Sequence, residues 1–387
     1  MTDSARINRL TFMSACYGML LFGIVMTSLG TVVPELQNRF DLDNAGIGRM
    51  MSLLPLGILI GSLGFGPLVD RFGYQKLLFT GCLITLLSFI WLGLGNSEHL
   101  LTFLILFLGG SGGALNGATN ALASDISTEN HGANLSFLGV FYGIGALSTP
   151  MIMASLQQMI GFQQVIITMG AILAIPMLAL LFVAFPSPKQ KNGFPIREGI
   201  KMLTNPIILL FGFILFLQSG LEGITNNWTT LFLKEDKGLD LEKALYTLSV
   251  FVVGLTITRL LLGKLLRKIQ PITILQSSMA LVIVAAFALT ITLEEIWLLA
   301  CFFLLGTGFA AGFPVILGYA GERFAHLSGT AFSIIITIAL IGNLLSNYVL
   351  GVLSEAYGIS LFPGFIVVLS VALLALLITS KKQIINK

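Results

Sequence analysis

Long apolar runs alternate with short polar connections from one end of the chain to the other. The runs are Leu10–Val33, Met50–Val69, Leu77–Gly95, Leu100–Ala123, Leu135–Leu156, Val165–Phe185, Ile207–Leu233, Ala244–Leu262, Ile272–Leu293, Ile296–Gly318, Thr330–Leu353 and Ile359–Thr379. Each is close to the ~20 residues that an α-helix needs to cross ~30 Å of hydrocarbon. Lipid offers the backbone no hydrogen-bond partners, and the runs are too long for barrel strands, so they must be helices. The pattern predicts an all-α membrane protein with twelve transmembrane helices.

Composition removes the soluble alternative. Only 10% of the residues are charged and the mean hydropathy is +0.94, outside the range of globular domains. An even number of spans puts both termini on one side, and Lys/Arg placement chooses which side that is. With the termini inside, Arg39, Arg49, Lys234, Lys237 and Lys243 are the only basic residues outside, and the other sixteen of 21 face the cytoplasm. Acids run the other way, with Glu35, Asp41, Asp43, Glu98, Glu235, Asp236, Asp240, Glu242, Glu294, Glu295 and Glu355 outside. The net charge of +3 therefore reads as an orientation signal at the inner membrane and not as a nucleic-acid footprint. The first span is too long for a signal h-region and has no small-residue cleavage site after it, so it stays as a helix. Cys16, Cys82 and Cys301 lie inside apolar runs at spacings that fit neither a disulfide nor a metal site.

The chain repeats itself. A hydrophilic linker at 187–206 separates an N-terminal half (1–186) from a C-terminal half (207–387). A shift of 197 lays Gly66 on Gly263 and Gly145 on Gly342, and a shift of 196 lays Gly110 on Gly306. Two six-helix pseudo-repeats follow. The pairs Gly57/Gly61, Gly109/Gly113/Gly117, Gly139/Gly143 and Gly308/Gly312 are small-xxx-small motifs. They serve either plain close packing or a sliding surface for rocking motion.

One acid lies well inside a span. Glu222 is ~23 Å from the inner end of the seventh run at 1.5 Å per residue, where a bare carboxylate must be paired, hydrated or protonated. Gln218, Glu222 and Asn226 recur every fourth residue and share one face. Glu222 is a candidate proton or cation carrier, the alternative being a structural carboxylate bonded across a helix interface. Asn116 with Asn120, and Asn343 with Asn347, repeat the spacing. Each amide offers two donors and an acceptor, suited to sugar hydroxyls or to interhelical bonds. Asn227 adjoins this face, and Trp228 and Tyr142 could offer flat surfaces to a sugar ring. Arg259 pairs with a carbonyl or substrate, or snorkels. Asp125 sits at the inner end of the fourth run, where Arg71 or Lys76 is the plausible cationic partner. No phosphate loop, H-E-x-x-H or G-x-S-x-G occurs, so no enzyme activity, metal or other cofactor is expected and energy comes from a gradient.

The run Gly66-Pro67-Leu68-Val69-Asp70-Arg71-Phe72-Gly73-Tyr74-Gln75-Lys76 fits G-x-L-x-D-R-x-G-x-x-K. It resembles the loop between helices 2 and 3 of major facilitator superfamily transporters. The resemblance implies the major facilitator fold, with a substrate site between parallel halves near the midplane. It also implies a cytoplasmic gate made of Gly66, Asp70, Arg71, Gly73 and Lys76, joined by Asp125 and Arg259. Val33-Pro34-Glu35-Leu36-Gln37, Asn116 with Asn120, Asn134 with Gly143-Ile144-Gly145, Gly220 with Glu222 and Trp228, Arg259, and Gly312-Phe313-Pro314 resemble the fucose permease-type, sugar:proton symporter branch. That branch carries acids on helices 1 and 4, whereas the matching positions here fall near Gly30 and at Asn116, leaving Glu222 as the main carboxylate. The expectation is a monomeric secondary carrier of a small neutral polar solute, a sugar, coupled to H⁺, with Na⁺ coupling or uniport as alternatives. A proton-coupled efflux antiporter for lipophilic compounds is the nearest rival, and a non-transporting sensor or membrane enzyme is the rival from another class.

Overall fold

The computed structural model describes residues 3–40, 44–95, 97–127, 131–189, 196–291 and 294–385. Asp41, Asp43, Lys191 and the 190–195 part of the expected linker lie outside the described residues. The helices are α1 (Asp3–Phe40), α2 (Asn44–Phe72), α3 (Tyr74–Leu94), α4 (Glu98–Asp125), α5 (His131–Ile160), α6 (Phe162–Ala179), α7 (Ile196–Leu203) and α8 (Pro206–Glu235). They continue as α9 (Leu241–Leu265), α10 (Pro271–Ile291), α11 (Glu295–Phe309), α12 (Gly312–Arg323), α13 (Ser328–Tyr357), α14 (Phe362–Thr379) and α15 (Lys381–Ile385). Among the described residues twelve spans are long and apolar enough to cross a membrane, and they coincide with the twelve apolar runs. The tenth differs in detail: α11 and α12 share it, separated by a break at Ala310 and Ala311.

Helix ends follow local chemistry. Asn205 caps α8 through its side chain, with Pro206 opening the helix, where the missing N–H costs nothing. Asp240 accepts from Lys243 N–H to start α9, and Ser97 does the same for α4 through Leu100 N–H. Gly161 before α6 and Gly358 before the α14 turn hold φ near +80° (80° and 84°), a region that only glycine enters freely. They are 197 residues apart.

That interval recurs in the packing. In α2, a Cβ on Gly57 would fall on the carbonyl oxygen of Leu106; in α9, a Cβ on Gly254 would fall on that of Phe303. Gly109 meets the carbonyl of Leu54, and Gly306 meets that of Phe251. All four positions move by 197. Here Gly306 is the counterpart of Gly109, which corrects the 196-residue match to Gly110 because the backbone contact, and not the run of glycines, fixes the register. Gly145 against Leu20 and Gly342 against Phe216 repeat the relation for α5 on α1 and α13 on α8. The two six-helix pseudo-repeats thus share these three glycine contacts, two at the same interval on both partners and the third one residue off at the facing carbonyl.

The chain divides into two compact units. Unit one holds Met1–Ile126, Phe141–Ile200 and Phe324–Ser333, and unit two holds Ser127–Val140, Lys201–Arg323 and Ile334–Lys387. The first turns of α13 therefore belong with unit one, and the first turns of α5 with unit two.

Replacing Gly306 by Leu places a side chain on the Phe251 carbonyl, and backbone on two helices cannot yield to it. The expected loss exceeds the ~1–3 kcal/mol usual for overpacking, read as loss of monodisperse protein in detergent. The control is Gly364→Leu, where an added side chain meets open space and the profile should stay unchanged.

Candidate functional site

Two polar clusters interrupt the apolar packing, one in each unit. In unit two, Glu222 lies sixteen residues into α8 and Arg259 eighteen residues into α9. α9 runs antiparallel to α8, so Arg259 starts ~7 Å below Glu222 at 1.5 Å per residue, and its side chain leans back toward the start of its own helix. Arg259 Nη2 donates to Glu222 Oε1 at 3.2 Å. Arg259 is 8% exposed, so the snorkelling alternative gives way to an internal ion pair. The sequence grouped it with the gate; the structure puts it beside the coupling candidate.

α5 supplies the bed on which Arg259 lies. Ser136 Oγ donates to the Arg259 carbonyl, and a Cβ on Gly139 would sit 3.0 Å from Arg259 Cδ and 3.1 Å from Nη1. With any larger residue at 139 the Arg259 side chain would have to give way by a few tenths of an ångström. Gln218, one turn below Glu222, is fully buried. Its Nε2 donates to the Phe309 carbonyl at 3.0 Å, an acceptor beside the α11–α12 break that needs a partner in an apolar setting. Its Oε1 has no partner among the described residues, and its side chain packs on Gly312.

The asparagine pairs share one local geometry and differ in what they leave free. Asn347 Nδ2 donates to the carbonyl (2.8 Å) and side-chain oxygen (3.0 Å) of Asn343, and Asn120 does the same to Asn116 at 2.8 and 3.1 Å. In α13 Asn347 is committed in full and Asn343 in part. Asn347 Oδ1 accepts from Trp228 Nε1 and Asn227 Nδ2, both at 3.0 Å, and Asn343 Nδ2 donates to the Ser219 carbonyl at 3.2 Å. This pair holds the Trp228 ring against Gly351. In α4, Asn116 Nδ2 and Asn120 Oδ1 bond to nothing among the described residues. Asn226 is exposed on α8. Tyr142, in unit one, stands with its ring 5.5 Å from Phe22.

The unit-one cluster gathers around the start of α13. Asp70, 1% exposed, accepts through Oδ2 from Thr330 N–H at 3.0 Å and from Thr330 Oγ1 at 2.6 Å. It thus caps α13 from another helix. Gly66 makes room: a Cβ there would strike the Gly329 carbonyl. Asp125 accepts from Ser328 Oγ at 2.7 Å and Tyr74 Oη at 2.5 Å. Its cation is Lys189 at 2.7 Å, not the expected Arg71 or Lys76. Lys189 Nζ also donates to the Ala325 carbonyl and to Ser328 Oγ, both at 2.6 Å, so all three of its hydrogens have acceptors. Gly73 turns the chain between α2 and α3 at φ 84° and abuts Pro188 at 3.2 Å from a notional Cβ, which brings the neighbouring Lys189 into place. Arg71 stacks over Phe72, its guanidinium 5.3 Å from the ring, and Lys76 is exposed.

Sequence reasoning missed Tyr74, Lys189, Ser328 and Thr330 here, and Ser136 in unit two, where it had named Gly139 only as a packing glycine. Ser328-Gly329-Thr330 directly before an apolar run was a helix-start signal. Nothing in the sequence marked Lys189 apart from the other linker cations.

Twelve apolar helices of spanning length among the described residues are the frame of a multi-pass membrane protein. Residues 15–346 match the family model of the Major Facilitator Superfamily, and the chain belongs to that family of transporters. It is 25% identical to the uncharacterized transporter y4wD of Sinorhizobium fredii over 372 residues, covering 95% of this chain and 97% of that one. The 4-hydroxybenzoate transporter PcaK of Pseudomonas aeruginosa is 22% identical, with 80% and 78% covered. The glucose/mannose transporter GlcP of Bacillus subtilis is 23% identical, with 85% and 84% covered. Among solved structures, the Escherichia coli fucose:proton symporter FucP superposes with a TM-score of 0.79 at 16% identity, over 97% of this chain and 98% of that one.

If Lys189 and Asp125 form one unit, their substitutions are not additive. Lys189→Met, Asp125→Asn and the double variant, compared by unfolding in detergent, should give a coupling of about 1–2 kcal/mol. Lys189 retains 22% side-chain exposure, which keeps the figure below that of a fully buried pair. Additive losses would mean the two residues act separately.

Proposed function

We propose that the chain imports a small, hydroxyl-rich solute together with a proton across the inner membrane by alternating access. The observation that supports this most directly is the Glu222–Arg259 pair inside the spans. Within hydrocarbon a carboxylate must be neutralised, and here two ways are open, Arg259 or a proton. A group that can exchange one for the other is what proton coupling requires. On this reading Glu222 loads the proton.

The remaining roles follow from hydrogen-bond capacity. In unit two Asn226 is exposed beside Glu222 and would offer its amide to a solute hydroxyl; in unit one Asn116 Nδ2 and Asn120 Oδ1 keep a donor and an acceptor to spare among the described residues. Asn347 is spent on the protein, so it would orient Trp228 and Asn227 for the solute without touching it, while Asn343 holds Asn347 and keeps one N–H of its own. Asp70 and Asp125 would latch the start of α13, with Gly66, Gly73, Tyr74 and Lys189 as supports, and the latch would break and reform in each cycle. The solutes named for GlcP, PcaK and FucP are all small and hydroxylated, which agrees with this class. The excess of basic residues on one side favours both termini in the cytoplasm, and one chain suffices for the cycle.

Reconstituted protein with an inward proton gradient, offered a panel of sugars and sugar acids, tests the reading. The wild type should accumulate one of them. Glu222→Gln should keep counterflow, in which no net proton moves, and lose accumulation above equilibrium. A Glu222→Gln protein that still concentrates the solute would remove Glu222 from the coupling step.

A further inference from the structure

The edge of Arg259 that faces Glu222 is only half used. A guanidinium binds a carboxylate side-on through Nε–H and the neighbouring Nη2–H, two parallel donors for two oxygens. Glu222 takes Nη2 alone, through one oxygen at 3.2 Å. Arg259 Nε is buried and has no acceptor among the described residues. Gly139 packs against the side chain, a Cβ there falling 3.0 Å from Cδ, 3.1 Å from Nη1 and 3.3 Å from Nε, and the residue's own carbonyl is tied to Ser136. The guanidinium is therefore held in one orientation with one buried donor of its side-on pair open.

Protonation completes the argument. Among the described residues Arg259 is the one charged side chain acting on Glu222. When a proton settles on the Glu222 carboxylate, the pair goes from net zero to net +1 and Arg259 is left as a buried cation without a counter-charge, an expensive state inside a span. A neutral solute leaves that charge uncompensated. A solute carrying one carboxylate restores zero and supplies the second oxygen that Nε lacks.

We infer that the transported solute carries a single carboxylate, which displaces protonated Glu222 from Arg259 and binds the Nε/Nη2 edge side-on. This rests on the reading of Glu222 as the proton carrier and narrows the solute from hydroxyl-rich in general to a hydroxylated monocarboxylate. One proton and one carboxylate enter together, so no net charge moves. A neutral sugar entering with a proton would move one positive charge.

The test is uptake by proteoliposomes of two matched pairs: D-galacturonate against D-galactose, and 4-hydroxybenzoate against 4-hydroxybenzyl alcohol. Under an inward proton gradient at zero membrane potential, at least one carboxylate should accumulate about tenfold or more above its uncharged partner. An inside-negative potential without a pH gradient should leave that uptake unchanged. Tryptophan fluorescence gives a readout independent of flux: Glu222→Gln removes the internal competitor and should bind the carboxylate about tenfold more tightly, while Arg259→Gln should bind it about 100-fold more weakly. The double variant Glu222→Gln/Arg259→Gln keeps the pair neutral and near-isosteric, so it should fold like wild type and also lose binding. Accumulation of an uncharged partner driven by the potential would overturn the inference and leave the proton-carrier reading standing. Uptake of neither carboxylate, or binding by Glu222→Gln no tighter than wild type, would overturn it as well. Accumulation by Glu222→Gln equal to wild type would instead bring down the proton-carrier reading itself.

Discussion

Close approach of helix backbones is the constraint on which everything else in this molecule depends. In lipid no hydrophobic drive pushes apolar helices together, so association relies on packing, and packing is best where small residues bring backbones into contact. Gly57, Gly109 and Gly145 do this in the first half, and Gly254, Gly306 and Gly342 do it in the second. At each of these points a side chain would collide with a carbonyl on the facing helix, so there is little slack. A frame this tight decides where polar groups can go. They must either find partners at fixed distances or sit at helix ends.

The molecule uses both solutions. Asp70 and Asp125 close the C-terminal ends of α2 and α4, where a negative charge is unfavourable to its own helix. Their positions make sense through a different helix, because both face the start of α13, whose unpaired N–H groups and positive dipole end favour carboxylates. Asp70 takes Thr330 N–H and Asp125 takes Ser328. Arg259 and Glu222 lie inside their helices, and among the described residues each is the other's one charged partner. The first arrangement exchanges one helix terminus for another; the second needs a counter-ion, which makes it sensitive to anything that removes one of the charges.

How much of this could be read from the sequence depended on whether a feature was local. The twelve spans follow from hydropathy alone, and the pseudo-repeat from glycines at one interval. Glu222 was visible because an acid in an apolar run is expensive wherever it points. Its partner was less visible. Arg259 near the end of a run reads equally as snorkelling, and only the crossing of α8 and α9 decides between them. Lys189 was one linker lysine among several until the turn at Gly73 brought Pro188 and its neighbour over α4 and α13. The asparagine pairs were legible as i,i+4 polar faces, but not the fact that Asn347 is fully bonded to the protein and Asn343 ties to Ser219, while Asn116 Nδ2 and Asn120 Oδ1 make no bond among the described residues. That difference comes from Trp228, Asn227 and Ser219 on α8, 115 or more residues away in sequence.

The repeat also shows where function parts from fold. Moved back by 197, Arg259 falls on Ser62 and Glu222 on Val25, so the ion pair exists in one half alone while the glycine contacts exist in both. The helix starts show the same division. Ser328 corresponds to His131, Gly329 to Gly132, and Asp125 to Glu322. In unit two His131, Gly132 and Glu322 line one pocket of about 100 Å³, and in unit one Ser328 and Asp125 are hydrogen-bonded. The docking of a helix start on an acid-tipped helix end is therefore part of the duplicated scaffold. Asp70 is not, for its counterpart is Arg267. Backbone geometry had to be kept in both copies for the helices to pack, whereas a charge in either copy disturbs packing only locally. The charges were free to diverge, and in this chain they have collected into one internal pair in the second half and one capped helix start in the first.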